Sequence, residues 1–471
     1  MRLSAHDASF LYTETESGPM SAATISILEG LVDFDELYAF YEPRVAQISR
    51  LRQRILFVPM NIAHPVWVDD PDFDLRNHLK RYPVPEGTTT EEAIRIGVKL
   101  SEPLLDRDRP LWLHYVLENI EGNTVLVQLG HHAFLDGATA VALSTVMTTP
   151  EPETPPPPAE EAPWDPPRLP TPEELSRDAM QEQAESATKR LMRPNLPSPD
   201  LIARSTQVMM RLGRPVMQAP WNRSLVTSER EARFVTIPLE NIQALRKEIG
   251  GTINDVVVSI VTEAATRYMK DLNTITTRQN IRLMCPVNVR DPGADPLDMS
   301  GNHVSAMFPV LSAEPMTMVD RFNEVREELD GIKSRKEPET LHEMQQIQPT
   351  LPPVVMAIAP APGARLDPTR LAGAVPTMMP ASGLQPPLTG TFNFTCTNVP
   401  GPTWTQYMAG HKVINHLGTL MLGGNLGMGV VVSSYDGKMN FGIMTNPAVA
   451  PDGDLIENHL KDAFRELGGE L

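Results

Sequence analysis

Apolar positions recur along the chain with two different periods. Helical spacing marks one set of segments, namely 33–49, 89–100, 239–249, 322–332 and 455–467. Short apolar runs that are typical of strands form the other set, namely 111–117, 124–129, 234–237, 281–289, 392–397 and 428–433. Both kinds of segment occur in both halves of the chain. The pattern therefore predicts an α/β or α+β architecture of sheets covered by helices.

Proline interrupts this pattern once, between residues 148 and 172. Prolines at that density exclude a helix interior or a central strand, so the segment is predicted to be an extended linker. Two polar or amphipathic helical segments, 173–190 and 201–212, follow it. We therefore divide the chain into an N-terminal domain (1–147), a Pro-rich linker with crossover helices (148–230) and a C-terminal domain (231–471).

Charge and length narrow the classes of function. The 471 residues carry a formal net charge of −18, which argues against nucleic acid as a partner and against electrostatic attraction to anionic lipid. Any membrane contact must then be hydrophobic. No apolar run approaches the roughly 18 residues that span a bilayer, and no signal peptide is evident. These features predict a cytoplasmic protein that touches membranes only peripherally.

The two cysteines, Cys285 and Cys396, both lie in strand-like runs. Buried, inert thiols are the favoured interpretation, with a nucleophile or a disulfide as alternatives.

The segment His131-His132-Ala133-Phe134-Leu135-Asp136-Gly137 carries the clearest chemistry. It follows an apolar strand and precedes a helix of small residues, which places an imidazole at a strand end. A histidine there is suited to act as a general base, because its ordinary pKa is ~6.5. An alcohol needs such a base when it attacks a thioester, since its hydroxyl hardly ionises at pH 7. A structural histidine pair is the alternative.

This HHxxxDG string resembles the motif of the coenzyme A-dependent acyltransferases. Other stretches are similar to the bacterial wax ester synthase/diacylglycerol acyltransferase family, and most of all to actinobacterial triacylglycerol synthases. These stretches are Leu3-Ser4, Asp7-Ala8, Phe10-Leu11, Pro19-Met20, 52–54, 65–67, 103–107, Pro110-Leu111-Trp112, Asn254-Asp255, 286–290, Gly301-Asn302 and 398–402. The resemblance covers nearly the whole chain outside the linker.

The resemblance implies two chloramphenicol-acetyltransferase-like domains, each a mixed sheet flanked by helices, which meet at a tunnel. It makes His132 the general base and His131 a supporting residue. Asp136 would hold the turn before Gly137 by pairing with an arginine, for which Arg290 is the candidate. If that pair is buried, removal of one partner would cost about 3–5 kcal/mol.

Other residues receive roles in substrate binding by the same resemblance. Pro110, Leu111 and Trp112 would shape the acyl pocket, although core packing is the alternative. Thr397 and Asn398 would line the tunnel, with Thr397 standing where the family usually has serine. Asn254 would donate to the oxyanion or position the substrate. The alternative for Asn254 is helix capping, because Thr252 and Asp255 have capping-box spacing.

The implied activity is transfer of a long-chain acyl group from acyl-CoA to a lipid alcohol. Diacylglycerol is favoured over a long-chain fatty alcohol, so the product would be triacylglycerol, wax ester or both. The alternatives are a carrier-protein-dependent condensation enzyme and an inactive lipid-binding homologue. Neither a cofactor nor a metal is expected, and a homodimer is left open. The family often has histidine after Pro-Met, where this chain has Ser21.

Overall fold

Two large β-sheets form the centre of the molecule. The computed structural model describes residues 1–135, 137–154, 157, 164–192, 197–289, 304–347 and 392–471. Both sheets carry helices, and both contain strands that the short apolar runs predicted, such as 124–129 in one and 428–433 in the other. The predicted mixed architecture with two sheet-containing domains is confirmed.

The first sheet contains strands from both ends of the chain. Its order is β12 (Tyr407–Met408), β13 (His411–Gly418), β1 (Ser21–Leu28), β6 (Asn123–His131), β5 (Trp112–Ile120) and β4 (Leu79–Arg81). All pairs are antiparallel except β4–β5, which is parallel. A separate antiparallel pair consists of β2 (Gln53–Leu56) and β3 (Val66–Asp69).

The second sheet is also mixed. Its order is β10 (Val310–Ser312), β8 (Asn280–Asn288), β11 (Phe394–Val399), β14 (Met428–Tyr435), β15 (Lys438–Thr445) and β7 (Glu231–Pro238). β11 is parallel to both of its neighbours, and the remaining pairs are antiparallel. A further strand, β9 (Val304–Met307), pairs with β8.

The segments predicted from helical spacing are helices, and the structure adds helices at Ala5–Thr13 and Glu337–Ile347 that the pattern did not predict. Their bounds are α1 (Ala5–Thr13), α2 (Phe34–Gln47), α3 (Thr90–Lys99), α4 (Gly137–Val146), α5 (Pro172–Met192), α6 (Pro199–Leu212), α7 (Leu239–Ile249), α8 (Ile253–Asp271), α9 (Met318–Ser334), α10 (Glu337–Ile347) and α11 (Gly453–Glu466). Thr252 and Asp255 form the predicted capping box at the start of α8. Helices α8, α9 and α11 contribute most of their buried residues to the core of the second domain.

One pairing crosses the proposed domain division. Strand β13 comes from the C-terminal segment but pairs along β1, with Ile25 opposite Leu417 and Ser26 opposite His416. Thr149, at the start of the Pro-rich segment, forms an isolated bridge with Tyr407. The ranges 1–147, 148–230 and 231–471 remain a prediction about chain segments. The first sheet itself is completed by the last third of the chain.

Candidate functional site

The HHxxxDG string lies at the end of β6, where the first sheet faces a cavity of about 830 Å³. The cavity lies between the two sheets and is lined by residues of both. Successive side chains on a strand point to opposite faces, so neighbouring histidines at its end have different surroundings. His132 lines the cavity, whereas His131 is buried and is not among the described residues that line it.

Met20 and Phe10 both contact His132. Its backbone N–H donates to the carbonyl oxygen of Met20 at 2.8 Å. Its imidazole stacks on the ring of Phe10, with 4.3 Å between the ring centroids and 24° between the planes. Phe10 belongs to α1, so the N-terminal helix positions the ring from one side, and Met20, the residue before β1, positions its backbone.

His131 belongs to a buried polar cluster. Its Nε2 lies 3.3 Å from Oε1 of Glu14, and its Nδ1 accepts the backbone N–H of Ala133 at 3.0 Å. Because Nδ1 accepts, the ring proton must reside on Nε2 and point at the carboxylate. Glu14 also accepts from the N–H of Met20 and from Arg107, both at 2.8 Å.

The charge state of Glu14 follows from these contacts. Burial alone would raise the pKa of this carboxyl group. The hydrogen bond from His131, with the bonds from Met20 and Arg107, outweighs burial and lowers the pKa to about 2. The charged Glu14 therefore fixes the positions of His131 and Met20. The carbonyl oxygen of Met20 in turn accepts the backbone N–H of His132.

Gly137 is the first residue of α4, and it lies against β11 of the second sheet. A Cβ at this position would lie 3.0 Å from Cγ2 of Val399. The missing side chain thus allows the helix after the motif to approach β11 closely. Gly137, Val399 and Thr397 all line the cavity.

The other predicted site residues divide into two groups. Trp112 and Thr397 line the cavity, and the indole N–H of Trp112 donates to the carbonyl oxygen of Leu51 at 2.8 Å. The described residues that line it do not include Pro110, Leu111, Asn254 or Asn398. Leu111 is fully buried in the hydrophobic core, which agrees with the packing alternative.

Asn254 is the second residue of α8, where the capping box is formed by its neighbours Thr252 and Asp255. Asp136 and Arg290 lie outside the described residues, so their predicted pairing remains a prediction.

Sequence reasoning missed several residues that shape the site. Phe10, Glu14 and Arg107 hold the two histidines, although Phe10 and Arg107 lie in stretches that carry the family resemblance. Their roles depend on contacts between α1, the loop before β5 and the end of β6. No local pattern signals such contacts.

The two cysteines are free and buried on neighbouring strands of the second sheet. A hydrogen bond with Cys396, together with burial, raises the pKa of the Cys285 thiol. Neither cysteine is among the described residues that line the cavity. These properties agree with the prediction of inert core thiols.

Two family models match the chain. The wax ester synthase/diacylglycerol acyltransferase catalytic domain matches residues 3–257, and the WS/DGAT C-terminal domain matches residues 300–468. Among curated proteins, a putative diacylglycerol O-acyltransferase of Mycobacterium tuberculosis is 26% identical over 99% of this chain and 90% of its own length. A probable diacylglycerol O-acyltransferase of the same species, tgs1, is 27% identical over 99% of this chain and 95% of its own length.

Solved structures share the fold. The wax ester synthase/diacylglycerol acyltransferase from Marinobacter aquaeolei VT8 matches with a TM-score of 0.67 and 19% identity, over 99% of this chain and 98% of that one. The first condensation domain of the calcium-dependent antibiotic synthetase matches with a TM-score of 0.61 and 14% identity, over 99% and 96%. At these identities the likeness concerns the fold.

Proposed function

The chain belongs to the wax ester synthase/diacylglycerol acyltransferase family and is an acyltransferase that acts on a lipid alcohol, and from this premise we propose that His132 is its general base. The observation that carries the proposal is the placement of His132. It lies in the cavity between the two sheets, and Phe10 and Met20 hold it there. Acyl-CoA is the proposed donor.

The proposed reaction needs one proton to move twice. His132 takes the proton of the acceptor hydroxyl as that oxygen attacks the thioester carbonyl. The tetrahedral intermediate then collapses, the carbon–sulfur bond breaks, and the imidazolium protonates the departing thiolate. The products are an ester and free coenzyme A. A base in this position contributes roughly 10²–10⁴-fold to the rate.

The tetrahedral oxyanion needs a hydrogen-bond donor, and Thr397 is the proposed one. Its side chain lines the cavity from β11, on the wall opposite the first sheet. Trp112 contributes an apolar surface to the same cavity. Glu14 and His131 act indirectly in this scheme, because they fix the strand end that carries His132.

Diacylglycerol is the proposed acceptor, and triacylglycerol the proposed product. The support comes from the mycobacterial relatives, whose names describe diacylglycerol O-acyltransferases and which this chain matches over nearly its full length. Long-chain fatty alcohol, which would give wax ester, is the second candidate. The family model that matches the chain names both activities.

The test uses purified protein and palmitoyl-CoA, with diolein and hexadecanol offered in separate reactions. We expect triacylglycerol from diolein, and we expect its rate to fall by roughly 10²–10⁴-fold in His132→Ala. His411→Ala is the matched control, since His411 lies on β13 and is not among the described residues that line the cavity. Product from hexadecanol alone would overturn the acceptor assignment. Turnover that survives in His132→Ala would overturn the assignment of the base.

We further propose that the protein is cytoplasmic and docks on the inner membrane or on lipid droplets through α6 and α10. Among the described residues, no helix is long and apolar enough to span a bilayer. On α6, however, Ile202, Met209 and Met210 are exposed by 53%, 52% and 72%. Leu212 of α6 and Leu341 of α10 line the catalytic cavity, so this apolar surface lies beside the cavity. A homodimer remains a prediction.

Liposome flotation tests the docking surface. Replacing Ile202, Met209 and Met210 together by glutamate should greatly weaken binding to vesicles that contain diolein, because an apolar side chain that enters lipid contributes about 1.5–3 kcal/mol. Ile275→Glu with Val319→Glu is the control, since both side chains are exposed on other elements. Equal flotation of the triple variant and the wild type would contradict the proposed surface.

A further inference from the structure

The side chain of Asn425 is a buried polar part of the cavity wall that the proposed reaction does not use. Asn425 is 3% exposed and lines the cavity between the two sheets. Among the described residues, no hydrogen-bond partner reaches its Nδ2 atom. A buried NH₂ group has two hydrogens to donate, and leaving them unpaired is costly in a folded protein. An unpaired donor in the wall of a substrate cavity is therefore a candidate for binding the substrate.

Other polar side chains in the same wall already donate to the protein. The hydroxyl groups of Ser144, Ser305 and Tyr435 donate to backbone carbonyl oxygens at 2.8 Å, 2.6 Å and 2.9 Å. All three residues line the cavity. Polar residues can thus line this cavity with their donors satisfied, and Asn425 departs from that pattern.

The chain reverses direction at Asn425. Gly423 and Leu426 form an isolated antiparallel bridge, and the N–H of Leu426 donates to the carbonyl oxygen of Gly423 at 3.0 Å. Gly424 has a φ of 62°, a conformation that glycine adopts at little cost. Asparagine is common in turns, so the residue type alone does not indicate a binding role. The burial of the side chain and the unpaired Nδ2 indicate it.

The backbone of Asn425 is fixed by the buried side chain of Asn222. The Oδ1 of Asn222 accepts the backbone N–H of Ala219 at 3.2 Å, which determines the orientation of the Asn222 amide. The Nδ2 of Asn222 donates to the carbonyl oxygens of Asn393 at 2.7 Å and of Asn425 at 3.3 Å. The main chain of Asn425 is thus held in place. Its terminal torsion is free to turn the NH₂ group towards a ligand, because such torsions have broad energy wells.

The same turn approaches the segment that supports His132. A Cβ at Gly423 would lie 2.8 Å from Cε of Met20, and a Cβ at Gly18 would lie 3.0 Å from Cα of Gly423. The carbonyl oxygen of Met20 accepts the backbone N–H of His132. The Cα of Asn425 lies within about 7 Å of the Cα of Gly423, because two residues of chain span no more. The amide of Asn425 is therefore close to the part of the protein that positions the base.

An amide donor is complementary to a carbonyl oxygen, and two proposed substrates carry one. The thioester carbonyl of acyl-CoA is the first, for which Thr397 is the proposed donor. The ester carbonyls of diacylglycerol are the second. In diacylglycerol, an ester group is attached to the carbon next to the one that carries the free hydroxyl. A donor near the base can therefore bind this ester while the hydroxyl lies at His132. A long-chain fatty alcohol has no such carbonyl.

We propose that Asn425 is a specificity residue whose Nδ2 donates a hydrogen bond to an ester carbonyl oxygen of diacylglycerol. The hydrogen bond holds the acceptor with its free hydroxyl towards His132. A long-chain fatty alcohol would leave the buried amide unpaired, and sites built to form a hydrogen bond reject ligands that cannot form it. The inference rests on the proposed function, because it concerns the acceptor in the same cavity.

The test compares two acceptors of the same shape, each with palmitoyl-CoA. Diolein carries two ester carbonyls, whereas its dioleyl diether analogue has ether links in their place and the same free hydroxyl. We expect kcat/KM of the wild type to be roughly 10-fold higher for diolein than for the diether, the size of about one neutral hydrogen bond. Asn425→Leu should lower kcat/KM for diolein by the same factor and leave the value for the diether nearly unchanged.

Asn241→Leu is the matched control, since Asn241 lies on α7 and is not among the described residues that line the cavity. If Asn425→Leu does not fold, Asn425→Asp serves instead, because an ionised carboxylate has a similar shape and no hydrogen to donate.

The outcomes separate this inference from the proposed function. Equal kcat/KM for diolein and the diether in the wild type would overturn the inference alone. An unchanged preference for diolein in Asn425→Leu would also overturn it. A loss in Asn425→Leu that is equal for both acceptors would assign the amide to the thioester and overturn the role in acceptor choice. Absence of diolein turnover in the wild type would overturn the proposed acceptor, and this inference with it.

Discussion

At the scale of single residues, the two histidines of the motif have different surroundings because β6 ends at the first of them. His132 faces the cavity, while His131 is 1% exposed and points at Glu14. Glu14 is also 1% exposed and is satisfied by three partners. A buried carboxylate of this kind stabilises the fold only while its partners remain.

Replacement of Glu14 by glutamine should lower the free energy of unfolding by about 3 kcal/mol at pH 7. The folded-state pKa is about 2 and the ordinary value is 4.5, so the carboxylate contributes its full stability above pH 4.5. This contribution is lost as the pH falls from about 4.5 towards 2. Urea unfolding of the wild type and of Glu14→Gln at pH 7 and pH 3 measures the difference in free energy of unfolding. A difference that does not shrink at pH 3 would contradict the assignment.

At the scale of elements, α3 shows how a glycine sets the distance between a helix and a sheet. The helix packs against Ile25 and Val127 of the first sheet. A Cβ at Gly97 would lie 2.9 Å from Cδ1 of Ile25 and 3.0 Å from Cγ2 of Val127. Both contacts are with ends of side chains, so the sheet can adjust at some cost.

Gly97→Ala should therefore destabilise the protein through overpacking, by about 1–3 kcal/mol. The higher helix propensity of alanine offsets about 1 kcal/mol of this loss. Ile25→Val removes the atom nearest to the new methyl group. The double variant Gly97→Ala with Ile25→Val should lose less stability than the sum of the two single variants. Chemical denaturation of all four proteins measures the coupling, and simple additivity would argue against this packing.

At the scale of the whole molecule, the N-terminal and C-terminal parts of the chain share one sheet. β13 covers the edge of β1 and contributes buried Val413 and Leu417 to the cores of the first domain. Without β13, the edge of β1 would present unpaired backbone groups to solvent, which favours aggregation. The strand also carries His416, which lines the cavity.

The segment 1–230 expressed alone should therefore aggregate or remain unfolded. Co-expression with 231–471 should restore a soluble complex, because the second segment supplies β13. Size-exclusion chromatography and circular dichroism distinguish the outcomes. A folded, monomeric 1–230 segment would show that β13 is dispensable for the first sheet.

The sequence by itself determined most of the helices, the strands that correspond to long apolar runs, and the position of the HHxxxDG motif after one of them. These features depend on residues close in the chain, such as the capping box of Thr252 and Asp255 or the apolar run that leads to His132. The family resemblance extended this to the two-sheet fold. Local periodicity and a contiguous motif are enough to predict these features, because helices, strands and caps form through interactions between residues close in the chain.

Only the tertiary structure decided which distant residues meet. It paired β13 with β1 across almost 400 residues, placed Glu14 against His131, and left Asn254 outside the described cavity lining. It also joined Thr148, Gln406, His416, Ser26 and Gln128, which are distant in sequence, by hydrogen bonds. Such contacts arise from packing and from the need of each buried polar group for a partner, and no local pattern encodes them.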